Sequence, residues 1–127
     1  MHDTEVEFKD ATDLLWLSEE GSCFDLRLQA LMVDVVGVFR EIGVPLVITS
    51  LYRDEGPGKI HDTNPLRAFD CRCSHMTGDQ KRKMEEYFEA AWIYDTDRPD
   101  LSVLLHHDVG QGDHFHFQVH PNTIRRG

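Results

Sequence analysis

Between Asp25 and Ile42 the apolar residues Leu28, Leu31, Met32, Val35, Val36, Phe39 and Ile42 recur at helical spacing and form one stripe. Ser22 is a candidate N-cap, and Gly43 followed by Pro45 stops the helix. The stripe reads as a core face rather than a docking surface. Val44 to Tyr52 is rich in β-forming residues and predicts a strand. Asp54 to Pro65 carries glycines and prolines and reads as a loop. Leu66 to Cys73 predicts a second strand, with Phe69, Cys71 and Cys73 towards the core and Ala68, Asp70 and Arg72 away from it. Thr77 to Gln80 has the spacing of a capping box and opens a second helix that runs to about Trp92, with Met84, Phe88, Ala91 and Trp92 inward. Tyr94 to Asp100 is a linker. Leu101 to His107 and Asp113 to His120 predict two strands joined by the glycine-bearing turn Asp108 to Gly112.

In the last strand, polar and apolar residues alternate. His114, His116 and Gln118 share one face, and Phe115, Phe117 and Val119 share the other. The element order predicts an α+β domain, with helices on one side of a small, mainly antiparallel sheet and a polar open face on the other. The 127 residues make a single domain, 1–127, with residues 1–21 expected to be partly mobile around the apolar cluster Leu14-Leu15-Trp16-Leu17.

Composition narrows the function. A net charge of −10 argues against a nucleic-acid partner, which would need a basic surface. No apolar run has the length of a membrane span, and the N-terminus lacks a basic, hydrophobic leader, so the expectation is a cytoplasmic chain as synthesised. Three cysteines are too few for a disulfide framework and are read as reduced. Eight histidines in so short a chain are unusual, and four of them fall between His106 and His116.

The chemistry gathers around His61, Asp70 and His116. Imidazole nitrogen and carboxylate oxygen are ligands that zinc accepts, and three of them leave a fourth position for water. The competing reading is a set of surface histidines with Asp70 paired to Arg72 or Arg53. For His106 and His107, ahead of the turn, a role in the site and a place on a solvated edge both stay open. His75 beside Cys73 suggests a lesser, structural Cys/His metal pair.

His61…Asp70 followed by His114-Phe115-His116 resembles the His…Asp and His-x-His motifs of the zinc D-Ala-D-Ala metallopeptidases, which include D-Ala-D-Ala carboxypeptidases, phage L-alanyl-D-glutamate endolysins and, as a relative in fold, the hedgehog signalling domain. Thr49-Ser50-Leu51-Tyr52-Arg53 and Ala68-Phe69-Asp70 resemble further family segments, so that the likeness covers Val44 to His120. The segment from His106 to Thr123 is most similar to small phage or prophage members. The resemblance implies a hedgehog-like or peptidase-like fold and one zinc ion on His61, Asp70 and His116. It also implies Arg53 as a clamp on the substrate, His114 as an aid to the charged intermediate, and Asp113 as the general base. The family base is a glutamate, one methylene longer than Asp113. The chain also has a longer gap between His61 and Asp70 than is usual, and it lacks a glycine common ahead of Ala68. Strict alternation would place Asp113 opposite to His116 unless the turn at Gly110 to Gly112 bulges the strand.

Two functions follow as expectations. One is a zinc-dependent peptidase that hydrolyses a peptide bond in peptidoglycan stem peptides. The other is a non-catalytic metal-binding module of the same fold, serving as a virion or interaction component.

Overall fold

A computed structural model of the chain describes residues 6–8, 25–50, 67–108 and 113–126. Helix α1 (Leu26–Ile42) starts at Asp25, whose side chain accepts from the Arg27 N–H. Ser22, the expected cap, lies outside the described residues. The helix ends at Gly43, whose φ of 71° gives the left-handed turn that a residue with a Cβ resists. Leu28, Leu31, Val35 and Phe39 of its stripe are buried. Helix α2 (Gly78–Ala91) opens on the expected capping box: the Thr77 hydroxyl accepts from the Gln80 N–H, and the Gln80 side chain accepts from the Thr77 N–H. Its inner residues are Met84 and Phe88.

Strands β1 (Val6–Phe8), β2 (Leu46–Ser50), β3 (Ala68–Arg72), β5 (Leu104–Asp108) and β6 (Asp113–Gln118) form a five-stranded sheet in the order β1-β2-β3-β6-β5. Only β1 and β2 pair in parallel; the other pairs are antiparallel. Strands β4 (Trp92–Ile93) and β7 (Ile124–Arg125) make a separate two-stranded ribbon. The expected α+β class and mainly antiparallel sheet are therefore present. Three further short strands were not expected: β1 in the segment read as a mobile start, β4 at the end of the expected second helix, and β7 beyond the last expected strand. β1 lies within an acidic segment whose pattern gives no strand signal, and the ribbon has only two residues per strand. β1 pairs with the longer β2, and the ribbon strands pair only with each other, tertiary effects that local pattern does not carry. The other expected boundaries shift by a few residues, with β5 starting at Leu104 and β6 ending at Gln118.

Both helices deliver their buried stripes to one cluster with Phe69, Cys71, Cys73, Phe115 and Phe117, so the helices cover one side of the sheet. Phe117 stacks on Phe69 at 5.1 Å between ring centroids and meets the edge of Phe88 at the same distance. Asp34 of α1 accepts from the Tyr87 hydroxyl and from the Trp92 indole N–H, each at 2.8 Å, and joins both helices to the ribbon. No helix among the described residues is long and apolar enough to cross a membrane.

Asp95, just after the ribbon strand β4, organises the turn that follows. Its carboxylate accepts from the Asp97 N–H, the Asn122 amide and the Arg98 guanidinium. The Asp97 N–H, followed by the Asn122 amide, holds its pKa down at about 2. A carboxylate with a depressed folded-state pKa adds stability above its unfolded value of about 4, and this contribution is lost as pH falls towards 2. The urea midpoint should therefore drop between pH 5 and pH 2.5, and the drop should be smaller in Asp95→Asn. Parallel pH profiles for the two proteins would contradict this assignment.

Candidate functional site

Strands β3, β6 and β5 set the geometry of two polar groups on opposite faces of the sheet. Their register is continuous: Asp70 lies opposite His116, Arg72 opposite His114, His107 opposite His114, and Asp108 opposite Asp113. Because side chains alternate along each strand, Asp70, His107, His114, His116 and Gln118 fall on the face away from the helices. Cys73, His106 and Asp113 fall on the helix side.

On the open face, Asp70 and His116 are in contact. The His116 Nδ1 lies 2.7 Å from the Asp70 Oδ1, and both residues are buried. The other ring nitrogen lies 3.1 Å from the Gln118 Oε1, and the Gln118 amide nitrogen donates to the Ser102 carbonyl. The Ser102 contact fixes which end of the amide faces His116. The His107 ring lies 5.4 Å from that of His114 and 6.0 Å from that of His116. Burial, reinforced by these two neighbouring rings, lowers the pKa of His107. Three imidazoles and one carboxylate thus share a single patch. Among the described residues Asp70 has His116 as a partner; Arg53, one of the two arginines offered to it by the alternative reading, lies outside the described residues. Of the residues expected to hold one metal ion, Asp70 and His116 meet; His61 lies outside the described residues, as does Arg53.

Asp113 is not brought to this patch. The ladder runs without a bulge from Asp108–Asp113 to Leu104–Phe117, so alternation holds and the carboxylate lies on the helix side. There it ion-pairs with Lys81 of α2 and hydrogen-bonds His106. Lys81 and His106 together pull its pKa down to about 2. The turn residues expected to supply a bulge, Gly110 to Gly112, lie outside the described residues. His114, by contrast, stands on the same face as His116, as alternation requires.

The helix-side group was not anticipated as a unit. Cys73, His106 and Asp113 each present a ligand atom, and these atoms all lie within 4.8 Å of one another. They could hold a metal ion. Alternation puts Cys73 on the face of Cys71 and Asp113 on the face of Phe115, but bringing them to His106 needs the order and register of β3, β6 and β5. His75, considered with Cys73, is turned instead to the Pro45 carbonyl, with its Nε2 at 2.9 Å.

Comparison with family models, with curated proteins and with solved structures finds no match.

Cys, His and Asp side chains together also suggest thiol catalysis, but Cys73 is fully buried. Burial, followed by the charge of Asp113, pushes its thiol up to about 12, and burial likewise raises Cys71 well above the usual thiol range. A thiol of this kind is a poor nucleophile at neutral pH. Iodoacetamide at pH 8 should leave Cys71 and Cys73 unmodified in the folded protein and alkylate both in urea, as read by peptide mass mapping. Rapid alkylation of Cys73 in the native state would restore it as a candidate nucleophile.

Proposed function

We propose that the chain is a zinc-dependent, peptidase-like domain that acts on peptide bonds of peptidoglycan stem peptides, with its zinc held on the open face by Asp70, His116 and His61. The observation that carries this reading is the buried contact between Asp70 and His116, two side chains of the expected ligand set that come from strands far apart in sequence. A carboxylate and an imidazole this close, on a face lined by further imidazoles, suit a cation bound between them. The resemblance of the motifs to those of zinc peptidases supplies the substrate class.

Bound zinc would lower the pKa of a coordinated water and polarise the peptide carbonyl. The chain's own residues then orient the metal-binding ring and the substrate. Gln118 holds the far nitrogen of His116 and thereby fixes the ring. His114, on the same face two residues away, is suited to donate a hydrogen bond to an oxyanion. Arg53, by resemblance, forks onto the substrate carboxylate or carbonyl. Asp113 takes no part on the open face in this scheme.

The position of Asp113 favours a second reading, a non-catalytic metal-binding module. With the family's base position committed to Lys81, the ligands would remain while hydrolysis is lost.

Purified protein with added zinc should release fragments from muropeptides. His116→Ala should remove one equivalent of bound zinc and lower hydrolysis to background, and His114→Ala should lower hydrolysis while zinc stays bound. Zinc bound through His116 with no hydrolysis of any stem peptide would select the module. Zinc content unchanged by His116→Ala would remove the open-face site altogether.

A further inference from the structure

A second place in the molecule has the makings of a metal site, and it involves none of the open-face residues. Cys73 follows β3 directly, His106 lies on β5, and Asp113 begins β6. His106 and Asp113 sit on neighbouring strands and Cys73 directly follows a third, so the sheet fixes where the three ligands start. The Cys73 N–H donates to the Asp113 carbonyl at 3.3 Å, which ties two of the three main chains at the site itself.

We propose that Cys73, His106 and Asp113 bind a divalent transition-metal ion of the zinc class on the helix side of the sheet. Their ligand atoms lie within 4.8 Å of one another, close enough to share one ion after small side-chain adjustments. The donor set is one sulfur, one imidazole nitrogen and one carboxylate oxygen. Sulfur and imidazole select zinc, cobalt or iron over magnesium and calcium, which prefer oxygen alone. A thiolate and a carboxylate also match the two positive charges of the ion.

The surroundings fit this role. His106 directs its Nε2 at the site, and its Nδ1 lies 3.5 Å from a carboxylate oxygen of Glu85 on α2. A carboxylate behind a ligating histidine fixes its tautomer and aims its free nitrogen at the metal. Lys81 pairs with Asp113 from the same helix. Its flexible stem lets the ammonium withdraw when a divalent cation takes over the carboxylate. His106 keeps about a third of its side chain exposed, which gives an ion a way in, while Cys73 closes the inner side.

Cobalt(II) titration of the full chain tests the site, because a cobalt–thiolate bond gives a near-ultraviolet charge-transfer band that histidine and carboxylate ligands do not. Wild-type protein should develop this band to one equivalent. Cys73→Ser should abolish it, and Glu85→Gln should weaken cobalt binding about 10–100-fold. His116→Ala should leave the band intact, which separates this site from the one proposed on the open face. If Cys73→Ser does not fold, His106→Ala at the partly exposed ligand provides the same test and should weaken or remove the band. Cobalt binding without a thiolate band, or a band that survives both substitutions, would overturn the proposal.

Discussion

The unbroken hydrogen-bonded ladder of β3, β6 and β5 governs both polar groups found among the described residues of the sheet. Strand alternation permits one residue in two on each face, so a register fixed at Asp70–His116 also fixes the face of every polar side chain in the three strands. A slip of one residue would send Phe115 and Phe117 to the open side and bring the imidazoles under the helices. The stacked rings of Phe69 and Phe117, together with Phe88 against them, make that slip expensive. The apolar core and the polar patches are thus two outcomes of one register.

The two faces place similar side chains in different electrostatic settings. On the helix side, α2 brings Lys81 and Glu85 to the strands, so Asp113 and His106 have charged partners from a second layer. On the open side, Asp70 and His116 contact each other, and Gln118 holds the second ring nitrogen. Burying a carboxylate against an imidazole offers little net stability over an apolar pair of similar volume, because both groups lose hydration. Such a pair in the middle of a sheet departs from what folding alone would select, and departures of this kind concentrate at functional sites.

The sequence made the larger elements legible for simple reasons. The α1 stripe and its Gly43 stop, the α2 capping box, and the alternation of His114 to Val119 are local signals that survive without knowledge of the fold. Alternation alone also assigned Asp113 to the face opposite His116, and the ladder follows it. What could not be read was which strands are neighbours. Asp70 and His116 are distant in sequence, and Cys73 meets His106 and Asp113 only because β6 lies between β3 and β5. The shortest strands were equally hidden, since two or three residues carry no periodicity.

The Asp34 carboxylate has an effect that extends beyond its own helix. It receives the phenol of Tyr87 and the indole of Trp92, while Arg125 approaches it at 3.4 Å, so α1, α2 and both strands of the small ribbon meet at one pair of oxygens. Peeling the ribbon away would strand the Trp92 indole N–H and the Arg125 guanidinium at once. The ribbon and the helical layer should therefore open as one cooperative unit, and amide protons in the β4–β7 pair should exchange with solvent at the pace of α1 rather than that of a frayed chain end.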